Sequence, residues 1–74
     1  MIEDLVRMAN QIGEFFGSYP SLDEAAEGIA DHLKRFWTPS MREKLIDYAE
    51  RDGRDLSAPV RSALMRLQKP VAGA

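Results

Sequence analysis

Residues 21–37 read SLDEAAEGIADHLKRFW, and this stretch decides the fold class. Ser21 and Glu24 have the spacing of a capping box, the pattern at which many helices begin. Acidic residues fill the first turns, and Lys34 and Arg35 fall in the last turn, so both ends suit the helix dipole. Helical spacing predicts one buried face, made of Leu22, Ala25, Ala26, Ile29, Leu33, Phe36 and Trp37.

Similar patterns predict a helix on either side of this stretch. Apolar residues recur at helical spacing over 2–16, where Gly13 suits close helix packing and Gly17 suits the C-terminal cap. The dipeptide Thr38-Pro39 predicts the start of a third helix over 39–52, because Thr caps well and Pro fits the first helical position.

A fourth helix is predicted over 58–68, and residues 70–74 are expected to fray. No stretch alternates as a strand does, so the predicted fold class is all-α, a small bundle of three to four short helices forming a single domain over 1–74. Outside residues 21–37, the predicted apolar face comprises Ile2, Leu5, Val6, Met8, Ala9, Ile12, Phe15, Phe16, Met41, Leu45, Ile46, Tyr48, Ala49, Leu56, Val60, Ala63, Leu64 and Leu67.

Composition excludes several classes of function. The 74 residues contain no cysteine and one histidine, which excludes a thiolate zinc site, an iron–sulfur cluster and a cysteine nucleophile. Residues 1–4 lack the features of a secretory signal and no run is apolar enough to span a bilayer, so we expect a soluble, cytoplasmic protein. Domains this small rarely gain more than about 3–5 kcal/mol from one core, which favours a partner.

Charge is unevenly distributed although the whole chain has a formal charge of −2. Residues 1–31 hold seven acids and one base, whereas residues 32–74 hold nine bases and five acids. One interpretation is that the charges only complement helix dipoles. The other is a bipolar surface that orients the protein on a larger partner.

The stretch 36–42, FWTPSMR, combines residue types that are enriched at interface centres. A core position is favoured for Phe36, whereas core and contact positions are balanced for Trp37, because an indole at a helix end is often half exposed. Arg42 is expected to pair with Glu43 or Asp47, or with a carboxylate elsewhere. The first candidate contact patch therefore comprises Phe36, Trp37, Pro39, Met41 and Arg42.

A second candidate contact patch lies on the first helix and comprises Asn10, Gln11 and Phe16. The two amides are either solvated or hydrogen-bond the backbone of a partner. A bundle of this size cannot enclose every large apolar side chain of the Phe15, Phe16 and Tyr19 group, so part of it should remain an exposed contact surface.

The sequence contains no residue pattern that is typical of a catalytic site. His32 follows Asp31, but no nucleophile or second acid accompanies the pair, so we interpret it as a solvated or capping histidine and predict no catalytic or metal site. A helix-turn-helix DNA-binding regulator is an alternative, based on Arg61, Arg66 and Lys69 near the last helix. The net negative charge of the chain argues against this alternative and against any nucleic-acid partner.

Two blocks of sequence are MANQIGEFF at 8–16 and IADHLKRFWTP at 29–39, the second followed by Met41-Arg42. Together they resemble the delta subunit of soluble NAD-dependent formate dehydrogenases that carry molybdenum or tungsten. The resemblance extends from about Leu5 to Leu64. Many family members have arginine at the position of Ser40 and an acidic residue at that of Thr38. Ser40 with Glu43 forms a second capping-box pattern here.

The resemblance implies a small subunit without a cofactor of its own, bound to the large catalytic subunit. That subunit would carry the molybdenum or tungsten pterin cofactor and iron–sulfur clusters, and other subunits would carry FMN and further clusters. We therefore expect a non-catalytic accessory subunit that supports assembly or stability. The alternative is a transient chaperone for insertion of the metal cofactor, and isolated copies would be able to self-associate through the exposed surface.

Overall fold

The computed structural model describes residues 1–67, and these contain four α-helices and no strand. The helices are α1 (Ile2–Phe15), α2 (Leu22–Phe36), α3 (Pro39–Arg51) and α4 (Ala58–Leu67), with a short 3-10 turn at Phe16–Ser18. The predicted all-α class is confirmed. Within the described part no helix is long and apolar enough to cross a bilayer. The predicted frayed tail, 70–74, and Lys69 lie outside it.

The caps explain where α2 and α3 begin. The Ser21 hydroxyl accepts a hydrogen bond from the Glu24 amide at 3.1 Å, and the Thr38 hydroxyl accepts one from the Met41 amide at 3.2 Å. Each satisfies an amide that has no partner within its own helix. Ser40 lies inside α3, so Thr38 and not Ser40 caps this helix.

The predicted C-terminal cap at Gly17 is wrong. α1 ends at Phe15, its C-cap residue is Phe16 with φ −87°, and the chain continues from there into the 3-10 turn without a left-handed residue. Within residues 1–67 a glycine adopts positive φ only at Gly53, φ 66°, just after α3. There its amide donates a hydrogen bond to the Tyr48 carbonyl at 3.1 Å, which closes the helix end.

The core lies between α2 and α4, which make the most extensive contact of any two helices. They run antiparallel, since Arg66 near the end of α4 donates a hydrogen bond to Asp23 at the start of α2. The predicted core position of Leu56 is confirmed. The largest fully buried side chains are Ile29, Leu33, Leu45, Val60 and Leu64.

Several predicted core positions are wrong, because no neighbouring helix covers these side chains. Leu22 is 54% exposed in the first turn of α2, and Phe36 is 68% exposed at its last residue. Met8 and Phe15, at the edges of the apolar stripe of α1, are also exposed. The apolar side chains of these helices outnumber the positions that neighbouring helices cover, and those at helix ends and stripe edges remain on the surface.

Gly13 allows α1 to approach the start of α4 closely, as its spacing predicted. A Cβ at this position would lie 2.9 Å from Cγ2 of Val60 and 3.3 Å from the Ser57 hydroxyl oxygen. These separations are shorter than ordinary van der Waals contact, so a side chain here would push the helices apart.

Candidate partner interface

The two adjacent aromatics of the first candidate patch have opposite environments. α2 ends at Phe36, and Trp37 adopts an extended backbone, φ −94° and ψ 146°. Its indole leaves the helical register and packs into the core, where it is 6% exposed, while Phe36 faces outward. The assignment of Trp37 to a contact surface is therefore wrong for the isolated chain, and so is the preference for Phe36 as the core residue.

Arg42 stabilises the C-terminal end of α2. Its Nη1 donates to the Trp37 carbonyl at 2.7 Å and to the carbonyls of Leu33 and Lys34, each at 3.3 Å. The Leu33 carbonyl also accepts from the Trp37 amide at 3.0 Å, so the guanidinium adds a second donor there. It places positive charge at the carbonyl end of α2, the negative end of the helix dipole. The expected pairing of Arg42 with Glu43 or Asp47 is wrong, and its role is internal.

Asp47 pairs instead with Arg51, one turn further along α3. The hydrogen bond from the guanidinium to the Asp47 carboxylate, followed by their charge attraction, raises the pKa of Arg51 above its usual range. Both side chains are exposed, so this pair adds little to the stability of α3.

Asn10 joins α1 to the loop before α4. Its Nδ2 donates to the Asp55 carbonyl at 2.9 Å, and its Oδ1 accepts from the Ser57 amide at 3.0 Å. The amide thus binds backbone, as the sequence suggested, but the backbone of its own chain. Neither a solvated Asn10 nor an Asn10 that contacts a partner is therefore correct, whereas neighbouring Gln11 is exposed.

Replacing Asn10 by alanine is expected to lower the free energy of unfolding by about 1–3 kcal/mol, because a half-buried backbone amide loses its acceptor. The measurement is urea denaturation followed by circular dichroism. Gln11→Ala, one residue away on the exposed side, is the control and should change stability by no more than about 0.5 kcal/mol. Equal effects of the two substitutions would show that the Asn10 hydrogen bonds add nothing to stability.

The other predicted contact residues are dispersed. Pro39 is exposed at the start of α3, while Met41 is half-buried and lines a groove of about 620 Å³ between α1 and α3 together with Ile2 and Leu5. Phe16 is half-buried elsewhere, against α2. The structure therefore divides the first patch among core, helix cap and surface.

A different set of residues forms an aromatic group where α1 meets α2. The ring of Phe16 stands between those of Phe15 and Tyr19, with edge-to-face centroid distances of 5.1 and 5.0 Å. It also covers Gly28 so closely that a Cβ there would lie 2.6 Å from its Cδ1. The absence of a side chain at residue 28 is what allows this aromatic group to lie against α2.

A second aromatic pair lies further along α2, beyond the glycine that Phe16 covers. His32 and Phe36 follow Gly28 at intervals of four residues and so lie on the same side of the helix, with their ring centroids 4.7 Å apart. We call Phe15, Phe16, Tyr19, His32 and Phe36 the aromatic row. Phe15 is 73% exposed, and Tyr19 is 44% exposed. Sequence reasoning missed the contribution of His32, although its four-residue spacing from Phe36 was visible.

The described residues give little support for DNA binding or for a metal site. Arg61 donates to the Gly53 carbonyl at 2.8 Å and to the Leu56 carbonyl at 3.3 Å, and Arg66 binds Asp23 at 2.6 Å. Both arginines of the DNA-binding alternative are therefore engaged within the chain. Across residues 1–67 no three acidic or histidine side chains are grouped as metal ligands.

Comparison with known proteins gives one match. Residues 4–64 match the family model described as "NADH-dependant formate dehydrogenase delta subunit FdsD". The matched range includes both sequence blocks, 8–16 and 29–39, and most of the described structure. No curated protein and no solved structure matches the chain significantly.

Proposed function

The chain belongs to the family of formate dehydrogenase delta subunits, and on that premise we propose that it is a non-catalytic accessory subunit of an NAD-dependent formate dehydrogenase. It docks on the large subunit that holds the molybdenum or tungsten pterin cofactor and supports the assembly or stability of the complex. The resemblance also supports a cytoplasmic location for that complex.

The observation that carries this proposal is the aromatic row. Phe15 and Phe36 are mostly exposed, although large aromatic side chains are usually buried. Burying one such side chain against a partner would contribute about 1.5–3 kcal/mol. Exposed aromatic side chains of this kind are typical of contact surfaces, and aromatic residues often dominate binding energy.

The test is affinity purification of the tagged full chain from its native host, with mass spectrometry and an assay of formate-dependent NAD reduction. We expect the large dehydrogenase subunit in equal amount with the tagged chain, together with the activity. Recovery of no dehydrogenase subunit would contradict the proposal. Recovery only from metal-starved cells, and not with the active enzyme, would instead indicate the transient chaperone.

A further inference from the structure

Acidic side chains border the aromatic row on the outer side of α2. A shallow depression of about 490 Å³ lies beside the row, and its lining includes one member of the row, the helix glycine beneath it and three carboxylates: Tyr19, Gly28, Glu24, Glu27 and Asp31. The aromatic surface and these acids are thus one continuous area of the molecule.

The charge of this acidic rim, which comprises Glu24, Glu27 and Asp31, is only partly compensated. Asp31 pairs with Arg35 at 3.2 Å, and both side chains are exposed. Among residues 1–67 no cation forms an ion pair with Glu24 or Glu27. The surface therefore combines exposed aromatic rings with net negative charge.

Resting on the proposed function, we infer that the aromatic row and the acidic rim dock a segment of the large subunit that presents apolar side chains together with lysine or arginine. The apolar side chains cover Phe15 and Phe36. A basic side chain enters the depression, where carboxylates accept its hydrogen bonds and the ring of Tyr19 offers a cation–π face.

Charge complementarity identifies this occupant and disfavours a second copy of the chain. A symmetric dimer through this face would place the same patch on both sides and bring two acidic rims together. Like charges facing each other across an interface oppose association, whereas a basic partner is attracted and oriented. The aromatic side chains would supply most of the binding free energy, and the acidic rim would determine which partner binds.

The test measures binding of the full chain to dehydrogenase purified from cells that lack it. The variant Glu24→Gln/Glu27→Gln removes two rim charges and leaves in place the hydrogen bond from the residue 24 amide to the Ser21 hydroxyl. The control, Glu3→Gln/Asp55→Asn, removes two exposed charges that line a groove elsewhere, with Glu3 about 18 Å from Phe15 along α1. We expect the rim variant to bind about ten-fold more weakly at low salt and the control to bind normally.

The salt dependence of binding distinguishes the loss of an electrostatic contact from a loss of folding. Exposed charges are screened, so the difference between rim variant and wild type should shrink when the Debye length falls from about 30 to about 3 Å. Charge reversal in Glu27→Lys, away from the helix cap, changes the net charge by the same two units and should weaken low-salt binding to a similar extent. Each variant should remain folded, and the loss of the Glu24 charge at the start of α2 should lower the free energy of unfolding by no more than about 1 kcal/mol.

The outcomes distinguish this inference from the proposed function. If the wild type binds the dehydrogenase and the rim variant binds equally well at low salt, the acidic rim plays no part and the proposed function stands. A salt-independent loss shared by the control would also overturn the inference. If the wild type does not bind at all, both proposals fail.

Discussion

Trp37→Ala is expected to unfold the isolated chain. The indole is 6% exposed and belongs to the main core cluster, together with Leu33 and Leu45. Truncating a buried aromatic to alanine costs about 3–5 kcal/mol. A domain of this size has a total stability of about the same amount. Far-UV circular dichroism should therefore show loss of most helix, and the thermal transition should move below room temperature or vanish.

Trp37→Phe is the matched control, because it keeps an aromatic ring in the same pocket and removes only part of the volume. It should remain folded with a lowered melting temperature. A folded Trp37→Ala chain that nevertheless fails to recover the dehydrogenase would return this residue to the contact surface, where the sequence had placed it.

Replacing Phe15 and Phe36 together by serine is expected to weaken docking at least about 100-fold while the chain stays folded. Aromatic residues at the centre of an interface contribute about 2 kcal/mol or more each, and every 1.4 kcal/mol is about a factor of ten. Both rings are mostly exposed in the isolated chain, so their loss leaves the core intact. Binding to dehydrogenase that lacks this chain measures the first effect, and urea denaturation measures the second.

Met65→Ser provides the control for this pair. Met65 is 74% exposed on α4, outside the aromatic row, so the substitution removes exposed apolar surface without touching the proposed contact. It should leave docking unchanged. Comparable losses from Met65→Ser and from the double phenylalanine variant would mean that general surface apolarity, and not the row, determines binding.

The helices were predictable because their signals are local. Capping by Ser21 and Thr38 depends on residues three positions away, and apolar spacing marks most of the buried face of each helix. Whether Phe36 or Trp37 enters the core is not determined locally, since helical spacing places both residues close to the apolar face of α2. Where the helix stops determines which ring enters the core, and that depends on how α3 packs.

The polar contacts were less predictable because their partners are backbone atoms. Every residue has a carbonyl and an amide, so no sequence pattern identifies which ones Asn10 and Arg42 bind. The aromatic row was only partly foreseen for a related reason. Its two halves come from separate parts of the chain, and the Phe16–Gly28 contact that brings them to one surface depends on how α1 meets α2.

The amide of Asn10 has a consequence for the order in which the molecule folds. Its two hydrogen bonds span 45 and 47 positions of the chain, so both close long loops. Long-range closure is entropically costly, so we expect these two hydrogen bonds to form after the local contacts within each helix. α4 packs mainly against α2, and the amide of Asn10 adds the connection that fixes the segment before α4 to the first helix.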